Sequence, residues 1–380
     1  MEQNFDEIRP YHQSEINAAL RKITSEEQFM TALAKLMPDI DKEALKAKLN
    51  SFTTTKEIQG QIVFPITNSI IAKCSTGVSI DGLEYARQKN NRIYISNHRD
   101  IVLDPLLLGV LFFANDIDTP EVAIGNNLFV TPWMEPLVRI NKNIVVKRNV
   151  PVRQMLEVSS LLSAYIRYAI CEKKSALWIA QREGRAKDAN DRTQESLLKM
   201  LNISGKDSFK ENFSALNLSP LTICYEYDPC DYLKAKEFQL KRDNPQYKKT
   251  PQDDAENMLT GIFGWKGEIK YVISSLDDEL NSIPDGTKNE QFTALARLID
   301  KHIHRNYKIF ANNRVAYDLL MGENRFANEY TAEDKNKFET YLQERIDKID
   351  IPNKDESFLR TKILEMYANP LKNKLEAIKN

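Results

Sequence analysis

Short runs of β-branched and aromatic residues alternate with helical patterns between residues 60 and 285, and this alternation constrains the fold most strongly. Strands that alternate with helices favour an α/β architecture, in which helices cover both faces of one sheet. We predict strands at RIYIS (92–96), EVAIG (121–125), NIVVK (143–147), SALWIA (175–180), PLTICYEY (220–227) and GEIKYVIS (267–274).

The regions on either side of this alternating segment have helical periodicity and few strand signals. We therefore predict three parts: a small helical N-terminal unit over residues 1–58, an α/β domain over 59–285 and a helical C-terminal extension over 286–380. Residues 241–257 are polar and include two prolines, which predicts an exposed loop.

The amino-acid composition limits which cellular compartment and which binding partners we expect for this protein. The formal net charge of -1 gives no overall attraction to nucleic acid, so we expect no nucleic-acid partner. Four cysteines without a CxxC pair favour a reducing compartment and offer no metal spacing. The N-terminus has no signal-peptide pattern, and the longest apolar stretch, residues 105–114, is too short to span a bilayer. We expect a cytoplasmic protein that can still lie on a membrane surface.

The segment NHRDIVLDP (97–105) directly follows a predicted strand and contains the first candidate site. His98 leaves the strand end, and Asp104 with Pro105 predicts a helix start with Asp104 as its N-cap. A carboxylate that orients an imidazole prepares it to take a proton from a hydroxyl. Asp100 is the alternative partner of His98, and a surface histidine beside a simple helix cap is the alternative to a catalytic pair.

Two later segments supply cations near predicted strand ends. Residues 138–153 contain five basic residues and no acidic one, and Arg148 follows an apolar strand. Arginine suits phosphate because its planar guanidinium binds two oxygens. The segment WIAQREGRAKD (178–188) similarly ends a strand in mixed charges around Gly184. For each segment alone, a solvated charged surface is the alternative interpretation.

In this order, the segments resemble the four blocks of the glycerophospholipid acyltransferase family, over roughly residues 60–285. The first block is matched by Asn97, His98 and Asp104, the second by Arg148, the third by Glu183-Gly184-Arg185 and the fourth by Pro220. Two departures stand out. His98 and Asp104 enclose five residues where the family has four, and the third block lacks the usual threonine between glycine and arginine. Arg185 and Lys187 are therefore both candidates for its cation.

The resemblance implies a mixed sheet flanked by helices and an O-acyltransferase of phospholipid biosynthesis. It would move a fatty acyl group from coenzyme A or acyl carrier protein to glycerol 3-phosphate or its 1-acyl derivative, without a metal or bound cofactor. His98 would act as general base with Asp104, at the inner face of the membrane. The implied substrate-binding residues are Arg139, Arg148, Glu183, Gly184, Arg185 and Lys187. A lyso-aminolipid acceptor and a non-catalytic lipid-binding relative are the alternatives.

Overall fold

The computed structural model describes residues 4–379, and these contain one seven-stranded sheet. All six predicted strands are present, and a strand precedes them at Gly77. The predicted α/β architecture is therefore confirmed. The strands are β1 (Gly77–Asp81), β2 (Ile93–Ser96), β3 (Glu121–Gly125), β4 (Asn143–Val146), β5 (Leu177–Ala180), β6 (Leu218–Tyr225) and β7 (Glu268–Ile273).

The strand order is β1-β7-β6-β2-β5-β3-β4, and the sheet is mixed as the resemblance implies. Strands β6, β2, β5, β3 and β4 are mutually parallel, whereas β7 runs antiparallel to β6. The carboxyl ends of the five parallel strands consequently share one edge of the sheet, which we call the carboxyl edge. Because β7 is antiparallel, it begins at this same edge.

Helices cover both faces of the sheet and form both ends of the described chain. The helices before β3 are α1 (Gln13–Thr24), α2 (Glu27–Leu36), α3 (Lys42–Ser51), α4 (Thr55–Ile58), α5 (Phe64–Cys74), α6 (Leu83–Gln88) and α7 (Leu103–Phe113). Those between β3 and β7 are α8 (Met134–Ile140), α9 (Val152–Cys171), α10 (Glu195–Asn202), α11 (Phe209–Ser214), α12 (Asp231–Asp243) and α13 (Pro251–Phe263). The last four are α14 (Lys288–Asn306), α15 (Ala311–Met321), α16 (Ala332–Asp347) and α17 (Glu356–Lys379).

Alternation along β2 explains the two cores on either side of the sheet. Successive side chains of a strand point to opposite faces. Ile93 and Ile95 accordingly pack in one core with α9, α10 and α14, whereas Tyr94 packs in the other with α7. Every residue of β2 is buried, as expected for a central strand of a sheet covered on both faces.

The N-terminal helices pack around a separate apolar core, to which α8 contributes Ile140. The helical region continues through a π-helical turn (Gln59–Val63) to Cys74. The buried side chain of Gln59 connects this turn to the residues that precede β3 and β4. Its Nε2 donates to Asn141 Oδ1 at 2.9 Å, and its Oε1 accepts from Thr119 Oγ1 at 3.0 Å. The domain boundary near residue 58 stays a prediction.

The expectation of a loop throughout residues 241–257 was wrong. Helix α12 continues to Asp243, and α13 begins at Pro251. Thr250 caps α13: its side chain accepts from Asp253 N, while the Asp253 side chain accepts from Thr250 N. This capping box, with proline at the first helical position, starts the helix despite the polar composition.

Candidate active site

Asn97 fixes the chain at the point where β2 reaches the carboxyl edge. Its side chain is fully buried and continues the pairing of β2 with β6. Nδ2 donates to Ile223 O at 2.8 Å, and Oδ1 accepts from Ile223 N at 2.8 Å. The residue that follows, His98, therefore leaves the sheet from a rigid base.

His98 lies against Asp104 in the loop after β2. The distance from Nδ1 of His98 to Oδ2 of Asp104 is 2.8 Å. A carboxylate only accepts, so Nδ1 carries the hydrogen and Nε2 holds the free lone pair. The imidazole ring also meets Trp178 of β5 edge-on, with 5.6 Å between ring centroids. These two contacts fix the orientation of a ring that is only 13% exposed.

Backbone amides hold the Asp104 carboxylate in place. The same Oδ2 accepts from Arg99 N at 2.6 Å and from Asp100 N at 3.0 Å. Helix α7 begins at Leu103, so Asp104 lies in its first turn. Its side chain points back to the loop that precedes the helix. The expectation that Asp104 is the N-cap was therefore wrong.

Asp100 supplies the cap instead. Its Oδ1 accepts from Val102 N at 2.9 Å and from Leu103 N at 2.7 Å. Of the two candidate partners of His98, the structure pairs Asp104 with the imidazole and directs Asp100 to the helix start. Burial, and then the neighbouring Asp104, raise the pKa of the Asp100 carboxyl.

Helix α13 covers this loop from outside. A Cβ atom at Gly261 would lie 2.0 Å from Oδ2 of Asp100, which is closer than any packing allows. One turn earlier, Asn257 Oδ1 accepts from the half-buried Arg185 at 3.1 Å. The inner face of α13 thus contacts both the His98 loop and the loop after β5.

The loops after β4 and β5 meet beside the His98 loop. Arg148 follows β4, its backbone N–H donates to Asn126 Oδ1 at 2.8 Å, and its guanidinium forms an ion pair with Glu183. Gly184 has a φ of +67°, in the left-handed region that glycine adopts without strain, and this allows the turn after Glu183.

A cavity of about 430 Å³ opens at the same edge, between these loops and helices α9 and α10. Its wall combines the charged side chains of Arg148, Arg182 and Glu183 with the apolar side chains of Met155, Leu162 and Ile179. Such a wall suits a ligand with an anionic group at one end and a hydrocarbon chain at the other.

Two predicted binding residues are engaged elsewhere. Arg139 donates to the backbone oxygens of Asp6 at 2.6 Å and Arg9 at 3.0 Å, and it lies over the ring of Tyr11. Lys187 forms an ion pair with Glu237 of α12. The structure therefore uses Arg139 to fix the N-terminal segment and directs Lys187 to α12, and neither is brought to the pair of His98 and Asp104.

Buried polar atoms without a hydrogen-bond partner collect at the carboxyl edge. Leaving such an atom unpaired costs free energy, so a site that gathers several of them is suited to a polar ligand. Within residues 4–379 they include Arg99 Nε, Asp104 Oδ1, Gln181 Nε2, Arg182 Nε, Arg185 Nη1, Asp191 Oδ1 and Tyr225 OH. Sequence reasoning missed Arg99, Gln181, Asp191 and Tyr225, although each lies within or just after a segment that carries one of the four blocks.

Residues 4–379 contain neither a cluster of metal ligands nor a helix that could span a membrane. No group of three or more His, Cys, Asp or Glu side chains is arranged to hold a metal ion. No helix in this part of the chain combines the length and the apolar character needed to cross a bilayer.

The fold and the site together define a class of protein: an α/β enzyme with a His–Asp pair at the carboxyl edge of a mixed sheet. Residues 77–200 match the family model described as Acyltransferase, and this range includes His98, Asp104, Arg148 and Arg185. This match assigns an acyltransferase domain to residues 77–200, so the resemblance to the glycerophospholipid acyltransferases is confirmed and the protein is an O-acyltransferase.

The other comparisons are more distant. No curated protein matches the chain at a significant level. Among solved structures, it is similar to the 1-acyl-sn-glycerophosphate (LPA) acyltransferase PlsC from Thermotoga maritima, with 12% sequence identity and a TM-score of 0.38. That match covers 77% of this chain and 95% of the Thermotoga maritima chain.

Proposed function

We propose that this enzyme transfers a fatty acyl group from an acyl thioester to a hydroxyl of glycerol 3-phosphate or 1-acyl-glycerol 3-phosphate, with His98 as general base. The observation that carries the proposal is the contact between Nδ1 of His98 and Asp104. It leaves Nε2 as the free acceptor, and within residues 4–379 this atom has no hydrogen-bond partner.

The reaction needs one proton transfer in each direction and no covalent enzyme intermediate. The acceptor hydroxyl gives its proton to Nε2 of His98 while its oxygen attacks the thioester carbonyl carbon. The carbon–sulfur bond then breaks, and the thiolate takes the proton from the imidazolium. Asp104 stabilises that imidazolium, and base catalysis of this kind contributes about 10²–10⁴ in rate.

The acceptor phosphate is proposed to bind to Arg148 and Arg185. Arg148 is paired with Glu183, whose side chain is 70% exposed. Exposed ion pairs contribute only about 0–1 kcal/mol, so a phosphate dianion can displace Glu183 at low cost. Arg185 keeps its buried Nη1 without a partner among the described residues, which leaves a donor for a second phosphate oxygen.

A purified-protein assay tests the proposal. Labelled acyl thioesters of coenzyme A and of acyl carrier protein are offered with glycerol 3-phosphate, its 1-acyl derivative or a lyso-aminolipid. We expect transfer to a phosphorylated glycerol acceptor and loss of transfer in His98→Ala. Preferential transfer to the lyso-aminolipid would contradict the assigned acceptor while leaving the role of His98 intact.

The lipid substrates require access from a membrane, and we propose that the start of α9 lies on the inner face of the cytoplasmic membrane. Val152, Met155 and Leu156 are 84%, 52% and 71% exposed, and exposed Arg153 lies among them. A basic residue near an anionic surface contributes about 1 kcal/mol to binding.

Two other apolar segments are less available to a membrane than the start of α9. Leu107, Leu108 and Phe112 of α7 are buried in the core, and Trp133 packs against Phe29 of the N-terminal unit. Sedimentation with vesicles that contain anionic phospholipid, compared with neutral vesicles, tests the α9 surface. Met155→Ser with Leu156→Ser should reduce binding, and unchanged binding would remove this surface from the proposal.

A further inference from the structure

The residue after His98 enters a buried ion pair that the proposed mechanism does not use. Nη2 of Arg99 lies 2.5 Å from Oδ2 of Asp191, in the loop after β5. The two side chains are only 5% and 3% exposed. Replacing such a pair with packed apolar residues is often neutral or stabilising, so a buried ion pair is weak evidence for a contribution to stability alone.

One hydrogen bond connects this pair to the candidate base. The backbone N–H of Arg99 donates to Oδ2 of Asp104 at 2.6 Å, and the same oxygen accepts from Nδ1 of His98. The guanidinium of Arg99 thus anchors a peptide unit that orients the Asp104 carboxylate. A shift of this unit would move the carboxylate away from the imidazole.

Asp191 is itself held by α14, the first helix of the C-terminal extension. His304 Nε2 donates to Asp191 O at 2.8 Å, and burial lowers the pKa of His304 to about 4, which keeps the imidazole neutral. Two residues further on, Thr193 donates through N and Oγ1 to Asp300 Oδ1, at 2.8 and 2.7 Å. The loop that contains Asp191 is therefore bonded at two points to one helix.

Tyr307, just after α14, completes the surroundings of the pair. Its ring centroid lies 5.4 Å from the guanidinium carbon of Arg99, within the range of a cation–π contact. Arg99 is consequently enclosed by Asp191 on one side and by an aromatic ring on the other. Both come from parts of the chain that lie far from His98 in sequence.

We propose that Arg99 and Asp191 are positioning residues, through which α14 holds the His98 loop in the conformation that pairs His98 with Asp104. This inference rests on the proposed role of His98 as the base. It makes the C-terminal extension part of the apparatus that orients the base, although no residue of α14 touches the reacting atoms.

The first test is Asp191→Asn, which keeps the shape of the side chain and removes its charge. We expect kcat to fall by about 10²-fold, the effect of a misplacement on the scale of 1 Å. KM for the acyl thioester should stay within about threefold of wild type, because neither Arg99 nor Asp191 lines the cavity beside Arg148. An unchanged kcat in the folded variant would overturn the proposal.

A second variant separates positioning from folding, because Asp191→Asn leaves the buried Arg99 cation without its partner. In Arg99→Met with Asp191→Leu, both charges are replaced by apolar side chains, which buried ion pairs often tolerate. We expect this double variant to keep the thermal midpoint near wild type and still to lose kcat. Wild-type kcat in the double variant would show that the pair is only structural.

Histidine ¹⁵N spectra provide a readout that needs no substrate. In the wild type, the neutral His98 ring should carry its hydrogen on Nδ1, and Asp191→Asn should shift it toward the Nε2 tautomer. The chain has four histidines, and His98→Gln assigns the signal. A wrong acceptor assignment would leave this result standing, whereas an unchanged tautomer in Asp191→Asn would count against the inference itself.

The matched control is the ion pair at the opposite end of the same strand. Arg92, immediately before β2, is fully buried and its Nη2 lies 2.9 Å from Oδ2 of Asp277. Asp277→Asn should lower stability without changing the tautomer of His98. An equal tautomer shift in this control would mean that any weakening of β2 disturbs the site, and it would overturn the specific role of Arg99 and Asp191.

Discussion

Nδ1 of His98 contacts Oδ2 of Asp104 at 2.8 Å, although five residues separate the two side chains in sequence. The longer spacing is accommodated because Asp100 forms its own turn and caps α7 at Val102 and Leu103. The carboxylate that meets the imidazole is thus in the first turn of a helix, and the loop between them is closed by the amides of Arg99 and Asp100.

Removing the base should abolish transfer without unfolding the protein. We expect His98→Ala to lower kcat by about 10²–10⁴-fold, the range for general-base assistance. The thermal midpoint should stay near wild type, since the ring lies in the loop after β2, where its contacts are Asp104 and the edge-on ring of Trp178. Radiolabelled acyl transfer and a melting curve measure the two effects, and activity within a few-fold of wild type would exclude this mechanism.

The two aspartates of the loop should separate in function. Asp104→Asn places an amide where Oδ2 accepts from His98 and from two backbone N–H groups, so we expect a large loss of kcat. Asp100→Asn keeps an oxygen for the cap at Val102 and Leu103, so we expect a smaller loss. Parallel kcat measurements on the two variants decide this, and a greater effect at Asp100 would reverse the assignment.

Arg148→Ala should weaken binding of a phosphorylated acceptor. The expected loss is about 1.5–3 kcal/mol, the range for hydrogen bonds to charged groups, and it should appear as a higher KM for the acceptor. KM for the thioester should change less. Arg148→Lys should restore only part of the affinity for the acceptor, because a lysine ammonium cannot bind two phosphate oxygens in the bidentate geometry of arginine. Glu183→Gln is the matched control: it frees Arg148 and should not raise the acceptor KM.

Helix α13 should tolerate no side chain at position 261. Gly261→Ala puts a Cβ 2.0 Å from Oδ2 of Asp100, so the helix or the His98 loop must move. We expect a destabilisation of about 1–3 kcal/mol, the usual cost of overpacking, together with a loss of kcat. Gly109→Ala is the control, because a Cβ there meets its nearest neighbour, Phe64, at an ordinary 3.5 Å. Equal melting temperatures for the two variants would contradict the contact.

The Glu237 carboxylate should stabilise the protein in a pH-dependent way. Burial raises its pKa, but the ion pairs with Lys187 and Lys241 outweigh burial and lower the pKa from 4.5 to about 2. A lowered folded-state pKa gives stability that is present above about pH 4.5 and is lost as the pH falls toward 2. Melting temperatures of wild type and Glu237→Gln should therefore converge as the pH falls from about 4.5 toward 2, and a constant difference over this range would refute the prediction.

The N-terminal start of α13 could have been read from sequence. The pattern Thr250-Pro251 with Asp253 three residues after threonine is a capping box with proline at the first helical position, and the polar composition of residues 241–257 hid it. The order of the strands in the sheet could not be predicted in this way, because no local sequence pattern specifies which strands pair. That β7 lies between β1 and β6, and runs antiparallel to β6, follows from how the chain returns across the sheet.

The sequence by itself determined the strands, the position of His98 at a strand end and the order of the four blocks, because these depend on local periodicity and on residue types a few positions apart. Only the tertiary structure decided which carboxylate meets His98, that Arg139 and Lys187 bind elsewhere, and that Arg99 pairs with Asp191. A charged side chain pairs with an opposite charge that the tertiary structure places next to it, and local sequence does not specify that residue. The partner lies 50 residues away in sequence for Lys187 and 92 residues away for Arg99.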